Sequence, residues 1–184
     1  MVDLQARSPV ADMLPISAGS VTLTESRPEF VTLLQPRAGR SSELSAALET
    51  VHGMKLPELG GSTSSGSVRV LWFARDQYLL VGDRPANPDL SSVAALTDQS
   101  DAWIVLALSG SGSADVLARH CPLDLRSDRF AVGQTARVPV AHLPSVLVKL
   151  DNGFEVMVMQ SLARSAVHHL GEAMTSVAAQ ARLG

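Results

Sequence analysis

The residues of this 184-residue chain that could do chemistry are few, and their spacing builds no active-site constellation. Gly110-Ser111-Gly112 stands between an apolar run and a helical segment, where a dinucleotide fingerprint belongs, but Asp115 occupies the position of the third glycine. A carboxylate there opposes pyrophosphate both sterically and electrostatically. A tight strand-to-helix turn accounts for the glycines. No Gly-x-Ser-x-Gly elbow occurs. Cys121, the only cysteine, follows His120, yet neighbours in sequence do not make the spatial pair that activates a thiol. A packing role is expected for it. One cysteine also rules out an intrachain disulfide and a thiolate zinc cage. His168 and His169 diverge by about 100° on a helix, so they are not a helical zinc pair. His168 shares a face with Glu172, which predicts a polar contact. His52 and His142 have no ligand-spaced companions. Asp98, Asp101 and Asp124 remain, either as turn caps or, should two of them meet, as an acid/base pair.

The elements that must position these residues follow from periodicity. Residues 1–20, with Pro9, Pro15 and Gly19, read as an extended arm that either frays or lies on something else. Val21-Thr-Leu-Thr and Phe30-Val-Thr-Leu-Leu read as strands. Leu44, Leu48 and Val51 predict an amphipathic helix capped by Ser41 or Ser42. Gly60 to Ser67 reads as a flexible Gly/Ser loop, without the lysine of a phosphate-binding loop. Val68 to Ala74 and Gln77 to Gly82 form a hairpin about Arg75-Asp76. A short helix is expected over 89–96. The run Trp103-Ile-Val-Leu-Ala-Leu lacks alternation, which predicts a strand buried on both faces. Three further strands are expected over 135–140, 146–150 and 154–159, the last two joined by Asp151-Asn-Gly. Ser161 is expected to cap a final helix striped with Leu162, Ala166, Leu170, Ala173, Val177 and Ala181. Strands dominate without regular βαβ alternation. The fold class is therefore α+β, a single domain over 21–184 behind the arm.

Composition narrows the function classes. An apolar fraction of 46% allows a sizeable core, but aromatics supply only 4%, so Leu, Val, Ala and Met must build it. A net charge of −3 and a pI near 5.9 give no footprint for nucleic acid, and no Lys/Arg run suits an anionic membrane. No stretch approaches the roughly 18 apolar residues of a bilayer span. The opening Met1-Val-Asp-Leu-Gln-Ala-Arg lacks a basic region followed by an apolar run, so no secretory signal is expected, and a reducing cytoplasm is the simplest compartment.

Taken in order, these segments resemble the γ subunit of heterotetrameric sarcosine oxidase. The resemblance is carried by Leu71-Trp72, Tyr78-Leu-Leu-Val, Asp98-Gln-Ser-Asp101, Val105-Leu-Ala-Leu-Ser-Gly110, Val116-Leu117 and, most specifically, Cys121-Pro-Leu-Asp124. It continues through Phe130, Gly133-Gln-Thr-Ala136, Phe154-Glu-Val and Ser161-Leu-Ala163. The chain departs from that family at Gln160, where a basic residue is usual, at Leu162, where an aromatic is usual, and at Arg126, often a histidine. The resemblance implies a fold similar to the folate-binding domains of the aminomethyltransferase group. It also implies α, β and δ partner subunits in a complex that oxidises sarcosine to glycine, produces hydrogen peroxide and passes the one-carbon unit to tetrahydrofolate. FAD, FMN, NAD and zinc are then implied for the other subunits, and no cofactor, metal or catalytic residue for this chain.

The expected function is accordingly that of a non-catalytic structural subunit. Candidate partner-facing residues are Trp72, Trp103, Arg126, Arg164 and His168; tryptophan is enriched at contact hot spots, with ordinary core packing as the favoured alternative for Trp72 and Trp103, since both sit in apolar strands. The alternative expectation is a folate-binding or one-carbon transfer protein acting alone, with Asp98, Asp101 or Asp124 holding the pterin.

Overall fold

A computed structural model describes residues 7–183. The N-terminal heptapeptide discussed above, apart from Arg7, lies outside those residues. The strands are β1 (Ile16–Ala18), β2 (Val21–Ser26), β3 (Phe30–Pro36), β4 (Ser62–Ser65), β5 (Val68–Ala74), β6 (Gln77–Gly82), β7 (Ala94–Asp98), β8 (Trp103–Ser109), β9 (Thr135–Val140), β10 (Leu143–Leu150) and β11 (Gly153–Met159). The helices are α1 (Ser41–His52), α2 (Ser113–Ala118) and α3 (Ala163–Gln180). Two antiparallel sheets result, ordered β1-β2-β8-β11-β10-β9 and β4-β5-β6-β3-β7. The architecture is mixed α+β.

Strand alternation builds four layers. On β8, Ile104, Leu106 and Leu108 pack with Ala166, Leu170 and Met174 of α3, while Val105 faces the other way. Val105, Val146, Val148 and Met157 of the first sheet meet Val31, Leu71, Leu79 and Val81 of the second. The far side of the second sheet, through Leu34, Val68, Val70 and Leu80, covers Leu44 and Leu48 of α1. The order is therefore α2/α3, sheet, sheet, α1. The non-alternating Trp103 run is explained by cover on both faces. Burying each Leu or Val in these layers contributes roughly 1.5–3 kcal/mol.

Two glycines are set by close approach. Gly110 (φ 111°) leaves a Cβ only 1.8 Å from the Ser20 carbonyl oxygen, and Gly153 (φ 134°) leaves one 2.1 Å from that of Leu108. No side chain fits either place. The glycine turn ahead of α2 is thus a packing device against the β1–β2 connection.

Several expectations are corrected. Residues 89–96 are not a helix. Pro88–Ser92 is a single 3-10 turn, started by Pro88 and by Asn87 Oδ1 accepting from the Asp89 N–H at 2.9 Å, and Ala94–Asp98 then pairs with β3 as an edge strand. The ladder on β3 outweighs a weak helical period. Within the Gly/Ser segment, Ser62–Ser65 is a strand paired with β5. Neither predicted serine cap forms: Arg40 stands at the start of α1 and binds Glu43 at 2.6 and 3.0 Å, and the 3-10 turn Gln160–Leu162 leads into α3. Of the two alternatives for the arm, its described residues 7–20 take the second and lie on the body, with Val10 buried and Arg164 donating to the Pro9 carbonyl at 2.8 Å.

Candidate functional site

The chain leaves the second sheet at Asp98 and enters the first at Trp103, so Gln99–Ala102 bridge the two. Between this crossing and the ends of β5, β9, β10 and β11 the sheets part, leaving a cavity of about 550 Å³. That lies within the usual small-molecule range of about 300–1,000 Å³.

Phe73 and Trp103 form its aromatic wall, edge to face, with ring centroids 5.9 Å apart. The Arg137 guanidinium lies over the Phe73 ring, its Cζ 4.6 Å from the ring centroid. Beside this cation–π contact, the guanidinium makes no hydrogen bond or ion pair among the described residues. Arg137 is in phase with buried Thr135 on β9, so it points toward the inter-sheet layer where the second sheet no longer covers it. Gln99 Oε1 accepts from the Trp103 indole N–H at 3.0 Å and fixes that ring.

The crossing is held by Ser100, whose hydroxyl accepts from the Val31 N–H at 3.1 Å and donates to Asp98 Oδ1 at 2.6 Å. The Ser100 N–H reaches the same oxygen at 2.9 Å. These bonds, the hydroxyl first, hold the Asp98 carboxyl below its ordinary pKa. Asp101 is exposed and makes no side-chain bond among the described residues. The buried Ser145 hydroxyl donates to the Leu143 carbonyl at 2.8 Å. Met159, 41% exposed, lies on the rim.

The lining offers groups suited to recognition. The Ser145 proton is spent on a backbone carbonyl, and Asp98 accepts twice from Ser100, so neither is poised for proton transfer. What remains is an aromatic wall, a cation and two carboxylates.

Of the residues singled out by sequence, the structure brings together Trp103, Asp98 and Asp101. Trp72 lies half-buried on β5, opposite Tyr78. Asp124 lies elsewhere and is held by Arg126, Nε at 2.9 Å and Nη2 at 2.5 Å. Arg164 binds Asp12 at 2.8 Å, fixing residues 9–12 against α3. His168 lies 3.6 Å from Glu172, and His169 reaches the same carboxylate at 3.8 Å. Among the described residues no three metal-capable side chains converge, and no helix is long and apolar enough to cross a membrane. Cys121 is buried, which pushes its thiol pKa up and away from reactivity. Sequence reading missed Phe73, Arg137 and Met159. The signal available was a charged residue at a core-facing register in Thr135-Ala-Arg-Val.

No family model and no curated protein matches the chain. Among solved structures, a chain of the heterotetrameric sarcosine oxidase from Corynebacterium sp. U-96, in complex with pyrrole 2-carboxylate, matches with a TM-score of 0.79 and 26% identity, over 94% of this chain and 96% of that one. Aspartokinase III of E. coli, in complex with aspartate and ADP, matches with a TM-score of 0.39 and 12% identity, over 82% of this chain and 32% of that one. The aspartate kinase of Clostridium acetobutylicum gives 0.39 and 10%, over 89% and 37%. Scores at that lower level define no shared fold. Over nearly its whole length, the chain has the fold of a chain of heterotetrameric sarcosine oxidase.

Proposed function

We propose that the chain is a small structural subunit, of the γ type, in a sarcosine-oxidase-type complex. The observation that carries this reading is the extent of the fold match, which spans 94% of this chain and 96% of its counterpart. The match takes in nearly all of the counterpart chain rather than a part of it.

The site supports the same reading. Its cavity offers surfaces for recognition and no nucleophile–base pair among the described residues. The partners are then the α, β and δ subunits, which oxidise sarcosine to glycine, form hydrogen peroxide and transfer the one-carbon unit to tetrahydrofolate in the cytoplasm. We assign FAD, FMN, NAD and zinc to those subunits and none to this chain.

Among the partner-facing candidates, Trp103 takes first place because it walls an open cavity, and Trp72 and His168 remain available on other faces. Arg126 and Arg164 act indirectly, by holding the Asp124 loop and residues 9–12.

Purification of the tagged chain from its own cells tests the proposal. Stoichiometric co-elution with larger chains, together with sarcosine-dependent peroxide formation, is expected. A chain that elutes alone at 19.4 kDa without that activity overturns it.

A further inference from the structure

Resting on that subunit reading, we propose that the cavity between the sheets is the socket for an extended segment of a partner subunit, one carrying an apolar side chain between a basic and an acidic group. The two charged sides of the cavity are carried by different strands. Asp98 and Asp101 lie beside the start of β8, and Arg137 lies on β9. In the sheet order β8-β11-β10-β9 their strands stand three inter-strand steps apart, about 4.8 Å each in backbone spacing.

Arg137 and Asp101 line the same cavity, and neither has an ion-pair partner among the described residues. A stretch of partner chain meets both sides with its charges on separate residues, a basic group toward Asp98 and Asp101 and an acidic group toward Arg137.

The middle of the socket suits an apolar side chain. Phe73 and Trp103 form its wall in a chain whose aromatic content is only 4%, and exposed Met159 adds an adaptable surface at the rim. The Phe73 ring holds the guanidinium in place and shields one of its faces. A pre-positioned arginine of this kind is a typical interface anchor. The Ser100 bonds fix Asp98 in the same way.

The test uses the assembled complex, with Met159 replaced by photoreactive benzoylphenylalanine. Irradiation followed by mass spectrometry is expected to join this position to a partner segment with an apolar residue flanked by a basic and an acidic one. Arg137→Glu is expected to weaken assembly about tenfold or more. Converting the partner's acidic residue to Lys is expected to restore it, and circular dichroism checks that each variant is folded. The socket is overturned if the intact complex gives no cross-link, as when a small molecule fills the cavity. It is equally overturned if the cross-link joins two copies of this chain, or if Arg137→Glu assembles like wild type. In those cases the subunit reading stands. A wild-type chain that elutes alone overturns both.

Discussion

Arg69 on β5 and Glu155 on β11 form an ion pair across the inter-sheet layer, and among the described residues no other ion pair joins the two sheets. Glu155 interrupts the run Phe154-Glu-Val-Met-Val-Met in phase with Met157, so the pleat aims its carboxylate at the facing sheet. The side chains are 23% and 9% exposed. Removing one partner leaves the other's charge largely desolvated and unpaired, whereas removing both leaves only a packing change. Arg69→Met is expected to lower unfolding free energy by about 2–3 kcal/mol. Arg69→Met with Glu155→Leu is expected to lose less than the two single changes together, as read from a double-mutant cycle of urea unfolding curves.

His52 closes α1 with its ring buried and neither nitrogen hydrogen-bonded among the described residues. Burial first, and then the charge of Arg84, lowers its pKa from the ordinary 6.5. The unfolded chain therefore takes up this proton before the folded one does, and stability falls as pH drops below that value. His52→Leu removes the penalty. From pH 7.5 to 5.5, the urea midpoint of wild type is expected to fall further than that of the variant. Parallel curves contradict the assignment.

How far the fold was legible depended on the source of each element's stability. The Trp103 strand, the Arg75-Asp76 hairpin and the Asp151-Asn-Gly turn declare themselves through side chains. By contrast, β1, β4 and β7 are held by backbone pairing at their sheets, and Ser62-Thr-Ser-Ser carries no apolar pattern to read. The cavity was legible only in part. Trp103, Asp98 and Asp101 sit close together in sequence, while Phe73, Arg137 and Met159 come from three other strands. Only the strand order and the stacking of the sheets bring these together. Arg137 in phase with Thr135, and Glu155 in phase with Met157, were the legible clues: charged residues at core-facing positions.

Asp124 ends the Cys121-Pro-Leu-Asp turn, and hydrogen bonds from the Arg126 side chain, then from its N–H, lower its pKa from 3.8 to about 2. A depressed carboxylate pKa contributes stability that is complete above its unfolded value and is lost as pH falls through the folded one. Asp124→Asn is expected to melt below wild type at pH 6, with the gap shrinking between pH 4 and pH 2. Both groups are exposed, so the gap is small even at pH 6. A gap unchanged at pH 2 rules out the ion pair as its cause.

The β9–β10 turn offers the opposite case, a local cost with no charge involved. Ala141 (φ 50°) and His142 (φ 67°) are both left-handed, the arrangement of a tight two-residue hairpin that favours Asn-Gly. A side chain there costs about 1–2 kcal/mol relative to glycine, offset in part by glycine's greater freedom in the unfolded chain. His142 is exposed and loses no packing on truncation, whereas Ala141 is 8% exposed and its methyl is buried. His142→Gly is therefore expected to raise unfolding free energy by about 0.5–1 kcal/mol, and Ala141→Gly to gain less. A β-branched His142→Val, which tolerates this backbone least, is expected to lower it. Urea unfolding of the three variants gives the order directly, and a His142→Gly variant no more stable than the valine one contradicts the backbone argument.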